Sequence, residues 1–210
     1  MRPEIDYTLY LVTDRDMAGD KNFEETIAKA IRGGCTLVQL REKKCTSREF
    51  YERALRVKEI TDAFHVPLII NDRIDIMLAA DAAGVHLGQS DIPADAARRL
   101  IGNDKILGVS AATPEEAQKA EDDGADYLGV GAVFPTGTKS DARQLSVPLL
   151  REICSAVSIP AVAIGGINLK TIPQLEGSGI SGAAVVSAVM AQAKPEEAAR
   201  ALKEKIYSIL

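Results

Sequence analysis

Short apolar, β-branched runs alternate with longer segments of helical period along the whole chain. This alternation is typical of βα units built around a parallel sheet. It predicts eight strands, at Thr8–Thr13, Thr36–Leu40, Leu68–Ile70, Val85–Leu87, Ile106–Val109, Tyr127–Val130, Ala161–Ile164 and Ala183–Val186. It also predicts eight helices, at Phe23–Arg32, Ser47–Phe64, Arg73–Asp81, Ala94–Ile101, Pro114–Asp123, Val147–Ala156, Leu169–Leu175 and Pro195–Ile209.

Glycines separate a predicted helix from the following strand, at the position where a left-handed helix cap is expected. They are Gly33, Gly34, Gly84, Gly124 and Gly179. The 210 residues divide into eight units of about 26, so the loops must be short for a barrel that commonly needs about 250 residues. We predict one α/β domain over residues 1–210, a single eight-stranded parallel β/α (TIM) barrel. A doubly wound open sheet is the alternative, since periodicity alone does not show closure.

The charge and composition of the chain limit the kinds of molecule that it is expected to bind. With 25 basic and 30 acidic residues, the formal charge of −5 gives no electrostatic case for binding nucleic acid or a membrane surface. The chain has no apolar stretch near the roughly 20 residues of a membrane span, and no signal-peptide pattern at its start. We therefore expect a cytoplasmic protein with small-molecule partners, and the sequence is compatible with a homo-oligomer. The three cysteines are widely spaced and predict neither a disulfide framework nor a metal site.

Three groups of polar residues directly follow predicted strands. They are Gln39–Lys43, Asn71–Asp72 together with Asp91, and Thr136–Lys139. The carboxyl ends of the strands share one face of an enclosed parallel sheet, so these groups are expected to converge there. Their residue types suit phosphate oxygens and Mg²⁺.

Arg41 and Lys43 alternate along the chain, so they project to the same side if the segment stays extended. Together they could neutralise a diphosphate, and a salt bridge with Glu42 is the alternative interpretation. Asp72 and Asp91 follow neighbouring strands and could share Mg²⁺ while leaving positions for water and phosphate oxygens. Asp72 could instead cap the next helix.

Smaller signals follow the later strands. Ser110 ends the fifth strand with a hydroxyl, which is weak evidence alone. The segment Gly129–Lys139 is rich in hydrogen-bond donors and predicts an active-site loop that brings Lys139 to an anion. Gly165–Ile167 and Val186–Ala188 occupy the positions where such barrels frequently build a phosphate site. Glycines needed only for turn geometry are the alternative. We interpret His86 as a mouth or core residue.

In this order, the motifs resemble those of the thiamine-phosphate synthase family over nearly the whole chain. The resemblance is carried by Gln39–Lys43, Asn71–Arg73, His86–Gln89 before Asp91, and Phe134–Lys139. It implies a β/α barrel and an enzyme, a transferase. The reaction it implies joins 4-amino-2-methyl-5-(diphosphooxymethyl)pyrimidine to 4-methyl-5-(2-phosphooxyethyl)thiazole and releases diphosphate.

The resemblance also implies a role for particular residues. Those expected to bind the pyrimidine diphosphate are Gln39, Leu40, Arg41, Glu42, Lys43, Asn71, Ser110 and Lys139. Within this group, the expected catalytic residues are Arg41, Lys43, Ser110 and Lys139. Those expected to bind the thiazole phosphate are Thr136, Gly137, Thr138, Gly166, Val186 and Ser187. Asp72 and Asp91 are expected to bind the cofactor Mg²⁺.

The implied mechanism is dissociative. Diphosphate departs with help from Mg²⁺ and the cations, and the thiazole nitrogen captures the resulting pyrimidine carbocation. This requires no protein nucleophile and agrees with the absence of a persuasive Ser/His/Asp or Cys/His set in the sequence. Two other functions remain open at this point: a thiazole tautomerase of the same barrel family, and a non-catalytic barrel that binds phosphorylated metabolites.

Overall fold

The protein is a closed barrel of eight parallel strands. The computed structural model describes residues 5–19, 22–136 and 144–210. The strands pair in sequence order and β8 closes on β1. They are β1 Leu9–Val12, β2 Leu37–Leu40, β3 Leu68–Asn71, β4 Gly84–Leu87, β5 Ile106–Ala111, β6 Tyr127–Gly131, β7 Ala161–Ile164 and β8 Gly182–Val185. The predicted TIM barrel is confirmed, and the open doubly wound sheet is wrong.

Alternation along each strand divides the core into two layers. Outward residues such as Leu11, Val38 and Val130 pack under the helices. Inward residues, including Tyr10 and Tyr127, form a separate cluster inside the barrel. Successive side chains of a strand point to opposite faces, so each strand serves both layers at once.

Helices surround the barrel over the described ranges. They are α1 Arg15–Ala18, α2 Phe23–Arg32, α3 Ser47–Ala63, α4 Ile74–Ala79, α5 Ala94–Ile101, α6 Pro114–Asp122, α7 Val147–Ser155, α8 Ser187–Met190 and α9 Pro195–Tyr207. Local sequence accounts for several starts: Thr46 and Glu49 form a capping box before α3, and Thr113 caps α6 with Pro114 at its first turn. No helix among the described residues is long and apolar enough to cross a membrane.

The helices after β1, β7 and β8 differ from the prediction. The predicted helix Leu169–Leu175 is a single 3₁₀ turn, Ile172–Leu175, because Pro173 lacks the N–H that a longer helix needs there. Two short helices, α1 and α8, were not predicted, since four residues are too few to show a helical period. Asp14 caps α1 by accepting from the Met17 N–H.

Arg98 on α5 stabilises, through hydrogen bonds, the end of the barrel opposite the carboxyl ends of the strands. Its guanidinium donates to the main-chain oxygens of Lys105 and Gly124, at 2.8 Å and 2.9 Å, and to Asp126 at 2.6 Å. Asp126 also accepts from the Leu107 N–H at 2.7 Å. Both charged side chains are largely buried, at 12% and 16% exposure. This cluster ties α5 to the starts of β5 and β6.

Replacing Arg98 by Met should lower the free energy of unfolding by roughly 3 kcal/mol, because it leaves Asp126 and the carbonyls of Gly102, Lys105 and Gly124 without their cationic donor. Urea denaturation followed by circular dichroism measures the change. Arg99→Met is the matched control: the neighbouring side chain is 70% exposed, and its ion-pair partner among the described residues is Asp95 in the adjacent turn. Equal stability of the two variants would contradict a structural role for Arg98.

Candidate active site

A cavity of about 730 Å³ opens at the carboxyl ends of the strands. Residues of both predicted half-sites lie in its wall. From the predicted pyrimidine-diphosphate and metal sets these are Gln39, Arg41, Lys43, Asn71, Asp72 and Ser110. From the predicted thiazole-phosphate set they are Thr136, Gly166, Val186 and Ser187. Gly137, Thr138 and Lys139 lie outside the described residues.

The turn after β1 holds Arg41 in place. Asp14 pairs with the Arg41 guanidinium at 3.4 Å, and the Thr13 hydroxyl accepts from the Arg41 backbone N–H at 3.1 Å. The Arg41 side chain is only 10% exposed, and its Nε has no hydrogen-bond partner among the described residues. A buried donor of this kind calls for an acceptor, and an anion in the cavity would supply one. Asp14 was not predicted as a site residue.

Leu40 and Glu42 direct their side chains away from the cavity. Leu40 is fully buried between the barrel and the helices. Glu42 pairs with Arg53 of α3 at 2.7 Å, and both side chains are at most 10% exposed. A ligand in the cavity could therefore meet these two residues through their backbone only. The alternative salt bridge of Glu42 with Arg41 is not formed, because each residue has another charged partner.

Asp72 and Asp91 follow β3 and β4, which are neighbours in the barrel. Asp72 lines the cavity with a left-handed backbone, φ 63°, and its N–H donates to the His86 carbonyl at 2.9 Å. It does not cap α4, whose N-cap residue is Arg73. Asp91 is not itself a lining residue of the cavity, but it accepts from the N–H of Gly88, which is one, at 2.7 Å. Within the described ranges, no cluster of three or more His, Cys, Asp or Glu could hold a metal.

A second wall of the cavity is built from the turns after β7 and β8. Gly165 and Gly166 both have positive φ, at 96° and 65°, which glycine adopts readily. The Gly166 carbonyl accepts from Asn168 and from the Thr171 hydroxyl, each at 3.0 Å. Ser187 begins α8, where the first backbone N–H groups have no partner within the helix. This wall can offer N–H and hydroxyl donors to a phosphate.

A continuous chain of side-chain hydrogen bonds crosses the barrel interior and borders the cavity, which is lined in part by Gln39, Tyr10, His86 and Ser110. Gln39 Nε2 donates to the Tyr10 hydroxyl at 2.8 Å, and the Tyr10 and Tyr127 hydroxyls are 2.8 Å apart. His86 then bridges Tyr127 and Ser110, through Nδ1 and Nε2, each at 3.0 Å. We call these five residues the interior chain. The interior chain links Gln39 to Ser110, two residues that the family resemblance assigns to the pyrimidine diphosphate.

The interior chain depends on two glycines and on burial. A Cβ on Gly108 would overlap the Tyr127 ring, and a Cβ on Gly129 would lie 2.9 Å from His86 Cε1. Burial raises the pKa of the Tyr10 and Tyr127 hydroxyls above the ordinary tyrosine value, so both keep their protons near neutral pH. Polar residues at inward strand positions are the signal in the sequence that could have identified Tyr10, Tyr127 and His86 as one group.

Comparison with known proteins agrees with this geometry. The family model described as thiamine monophosphate synthase matches residues 9–189. The thiamine-phosphate synthase of Clostridium beijerinckii is 58% identical over 100% of both chains, and that of Clostridium botulinum is 57% identical over 98% of this chain and 96% of its own. The solved thiamine phosphate pyrophosphorylase of Pyrococcus furiosus has a TM-score of 0.90 at 39% identity, covering 98% of both chains. A 3-hexulose-6-phosphate synthase is similar in fold alone, at TM-score 0.67 and 18% identity.

The geometry predicts that Lys43 contributes to anion binding and that Lys44 does not, because Lys43 lines the cavity and Lys44 does not. Lys43→Met should weaken binding of inorganic diphosphate, in the presence of Mg²⁺, by roughly 10-fold or more, the typical loss of one charge-assisted hydrogen bond. Isothermal titration calorimetry measures the dissociation constants. Lys44→Met is the matched control and should stay near the unaltered protein. Equal losses for both variants would mean that only the net charge of the loop matters.

Proposed function

The chain belongs to the thiamine monophosphate synthase family and is a transferase of thiamine biosynthesis, and we propose that it condenses the two substrates named above. These are 4-amino-2-methyl-5-(diphosphooxymethyl)pyrimidine and 4-methyl-5-(2-phosphooxyethyl)thiazole, and the products are thiamine phosphate and diphosphate. The observation that carries the proposal is the joint wall of one cavity, cationic near β2 and rich in backbone donors near β7 and β8. Two phosphorylated substrates that react with each other need two anion sites at one cavity.

The cationic wall would bind the pyrimidine diphosphate. Arg41 presents a buried Nε that has no hydrogen-bond partner within the described part of the chain, and Lys43 adds a second positive charge along the same stretch of chain. Asn71 can donate its amide from the end of β3. These donors would also stabilise the negative charge that accumulates on the diphosphate as it leaves. Because this negative charge is greater in the transition state than in the bound substrate, positively charged side chains held in place here would stabilise the transition state more.

Asp72 and Asp91 fit a magnesium site that is completed by substrate. Mg²⁺ usually takes one or two protein carboxylates and fills its remaining positions with water and phosphate oxygens. The two aspartates would supply these carboxylates from neighbouring strand ends, and a larger protein cluster is not needed. When bound there, Mg²⁺ would supply positive charge to the diphosphate oxygens.

The wall after β7 and β8 would bind the phosphate of the thiazole. Gly166, Val186 and Ser187 offer backbone and hydroxyl donors, and Thr136 approaches from the loop after β6. With the phosphate held there, the thiazole ring can face the pyrimidine across the cavity. Binding at both walls would hold the thiazole nitrogen near the reacting methylene carbon.

The chemistry then needs no covalent bond to the protein. The C–O bond between the methylene carbon and the diphosphate breaks, and its electron pair leaves with the diphosphate oxygen. The thiazole nitrogen donates its lone pair to the resulting carbocation and forms the new C–N bond. The protein residues orient both substrates and exclude water, which would otherwise capture the cation.

Two other functions are less well supported. A thiazole tautomerase would handle the thiazole phosphate alone and would have no use for Arg41, Lys43 and the aspartate pair. A non-catalytic barrel could bind both ligands without turnover. Release of diphosphate from the two substrates distinguishes the synthase from both alternatives.

We expect the purified protein to release diphosphate only when both substrates and Mg²⁺ are present, and EDTA to abolish the release. Asp72→Asn and Asp91→Asn should each lower kcat by roughly 100-fold or more, comparable to loss of one preorganised charge-stabilising group. A coupled diphosphate assay measures the rates. Asp95→Asn, on the exposed start of α5, is the matched control and should keep full activity. Release that is unaffected by EDTA would contradict the metal assignment.

A dissociative path predicts sensitivity to electron withdrawal on the pyrimidine. Replacing the 2-methyl group by trifluoromethyl should slow the chemical step by several orders of magnitude, since it destabilises the developing cation. Single-turnover measurements isolate that step from product release. An equal rate for both pyrimidines, with chemistry shown to be rate-limiting, would instead favour direct displacement by the thiazole nitrogen.

A further inference from the structure

We propose that the hydrogen bonds of the interior chain all run in one direction. The interior chain thereby positions Gln39 and Ser110 so that the cavity is specific for an amino-substituted pyrimidine. In this arrangement every group donates onward from Gln39 towards Ser110. The cavity is then left with a hydrogen-bond acceptor on β2 and a hydrogen-bond donor on β5. The inference deepens the proposed function and rests on it for the identity of the substrate. Tyr10, Tyr127 and His86 would act through Gln39 and Ser110.

The direction begins at the Gln39 end of the interior chain. Gln39 Nε2 donates to the hydroxyl of Tyr10. Tyr10 is 2% exposed, and a hydroxyl buried among protein atoms places its own proton on a protein acceptor. Among the described residues, the other partner of that hydroxyl is the Tyr127 hydroxyl at 2.8 Å. Tyr10 therefore donates to Tyr127. That bond uses one of the two Nε2 hydrogens and fixes which end of the Gln39 amide faces Tyr10, so Oε1, at the other end, is the acceptor that Gln39 offers to a ligand in the cavity.

The same reasoning continues to the other end. Tyr127 is fully buried and accepts from Tyr10, so its proton goes to His86 Nδ1 at 3.0 Å. A neutral imidazole that accepts at Nδ1 carries its proton on Nε2, and Nε2 donates to the Ser110 hydroxyl at 3.0 Å. The Ser110 proton is then available to the cavity. Each hydroxyl has only one proton to donate, so the orientation of the Gln39 amide determines the direction of every later hydrogen bond in the interior chain.

The reverse direction also gives every group of the interior chain a partner, but it presents the opposite pattern of donors and acceptors to the cavity. If the Gln39 amide turned over, Oε1 would accept from Tyr10, Tyr127 would donate to Tyr10, and His86 would be protonated at Nδ1. Ser110 would then donate to His86 and offer only lone pairs to the cavity. The orientation of one amide is therefore coupled, through two tyrosines, to the tautomer of a histidine two strands away.

The forward direction matches the pyrimidine half of the proposed reaction. The 4-amino group is a donor, which Gln39 Oε1 can accept, and the ring nitrogen opposite it and the diphosphate oxygens are acceptors for Ser110. A 4-oxo pyrimidine places an acceptor where the amino group would be, against the lone pairs of Oε1. Sites that leave a buried polar group unpaired reject the mismatched analogue strongly.

The first test reads the direction in the free protein, without substrate. Nitrogen-15 NMR of labelled protein should find His86 neutral and protonated at Nε2, with His65→Gln used to assign the signals because the chain has two histidines. Tyr127→Phe removes the donor to Nδ1 and should shift the population towards the Nδ1–H form. A wild-type His86 protonated at Nδ1, or at both nitrogens, would overturn the proposal.

The second test reads specificity. The unaltered enzyme should prefer the 4-amino over the 4-oxo pyrimidine diphosphate by at least about 100-fold in kcat/KM. Tyr10→Phe frees the Gln39 amide to turn over and should reduce that preference at least about 10-fold, while the KM for the thiazole phosphate stays unchanged. Tyr51→Phe, on α3 outside the barrel interior, is the matched control and should keep the full preference.

The two tests separate this inference from the proposed function. A folded Tyr10→Phe variant with full discrimination would overturn the inference while leaving the synthase activity standing. If no diphosphate is released from the amino substrate, the proposed function fails, and the His86 tautomer still decides whether the chain is directional. If Tyr10→Phe does not fold, the tautomer of the unaltered protein decides alone.

Discussion

Eight parallel strands that close on themselves bring their carboxyl ends into one ring, and every contact of the candidate site depends on that ring. Residues as far apart in sequence as Arg41 and Ser187 line one cavity because each directly follows a strand. The same closure leaves the helices only the outer surface, where the outward strand residues form the larger apolar layer. The candidate site thus lies at the carboxyl ends of the strands, whereas the larger apolar layer lies between their outward faces and the helices.

The inner face of the barrel carries several buried polar groups. Tyr10, Tyr127 and Gln39 are at most 4% exposed, and an unpaired polar group at that depth would be costly. The interior chain satisfies them through one another, and Gly108 and Gly129 leave the space in which the rings lie. A fully satisfied interior network is also rigid, which is what the placement of two ligand-facing groups requires.

Charge is organised before any ligand arrives. Asp14 orients Arg41, and Arg53 holds Glu42 away from the cavity, so the acidic residue between the two predicted cations does not neutralise them. The left-handed backbone of Asp72 similarly places its carboxylate at the cavity wall and not at the start of α4. Preorganised charge of this kind lowers the cost of reorganisation when a diphosphate leaves.

By itself, the sequence determined the alternation of strands and helices, the polar groups after the strands, and the family resemblance. Each of these depends on patterns among residues that are close together in the sequence. Only the tertiary structure decided that the sheet closes, that Arg41 pairs with Asp14 and Glu42 with Arg53, and that Tyr10, Tyr127 and His86 join Gln39 to Ser110. The partners in those bonds lie between 11 and 117 residues apart, as between Glu42 and Arg53 or Tyr10 and Tyr127. Local periodicity shows which face of a strand a side chain occupies, whereas register and closure choose the side chain opposite it.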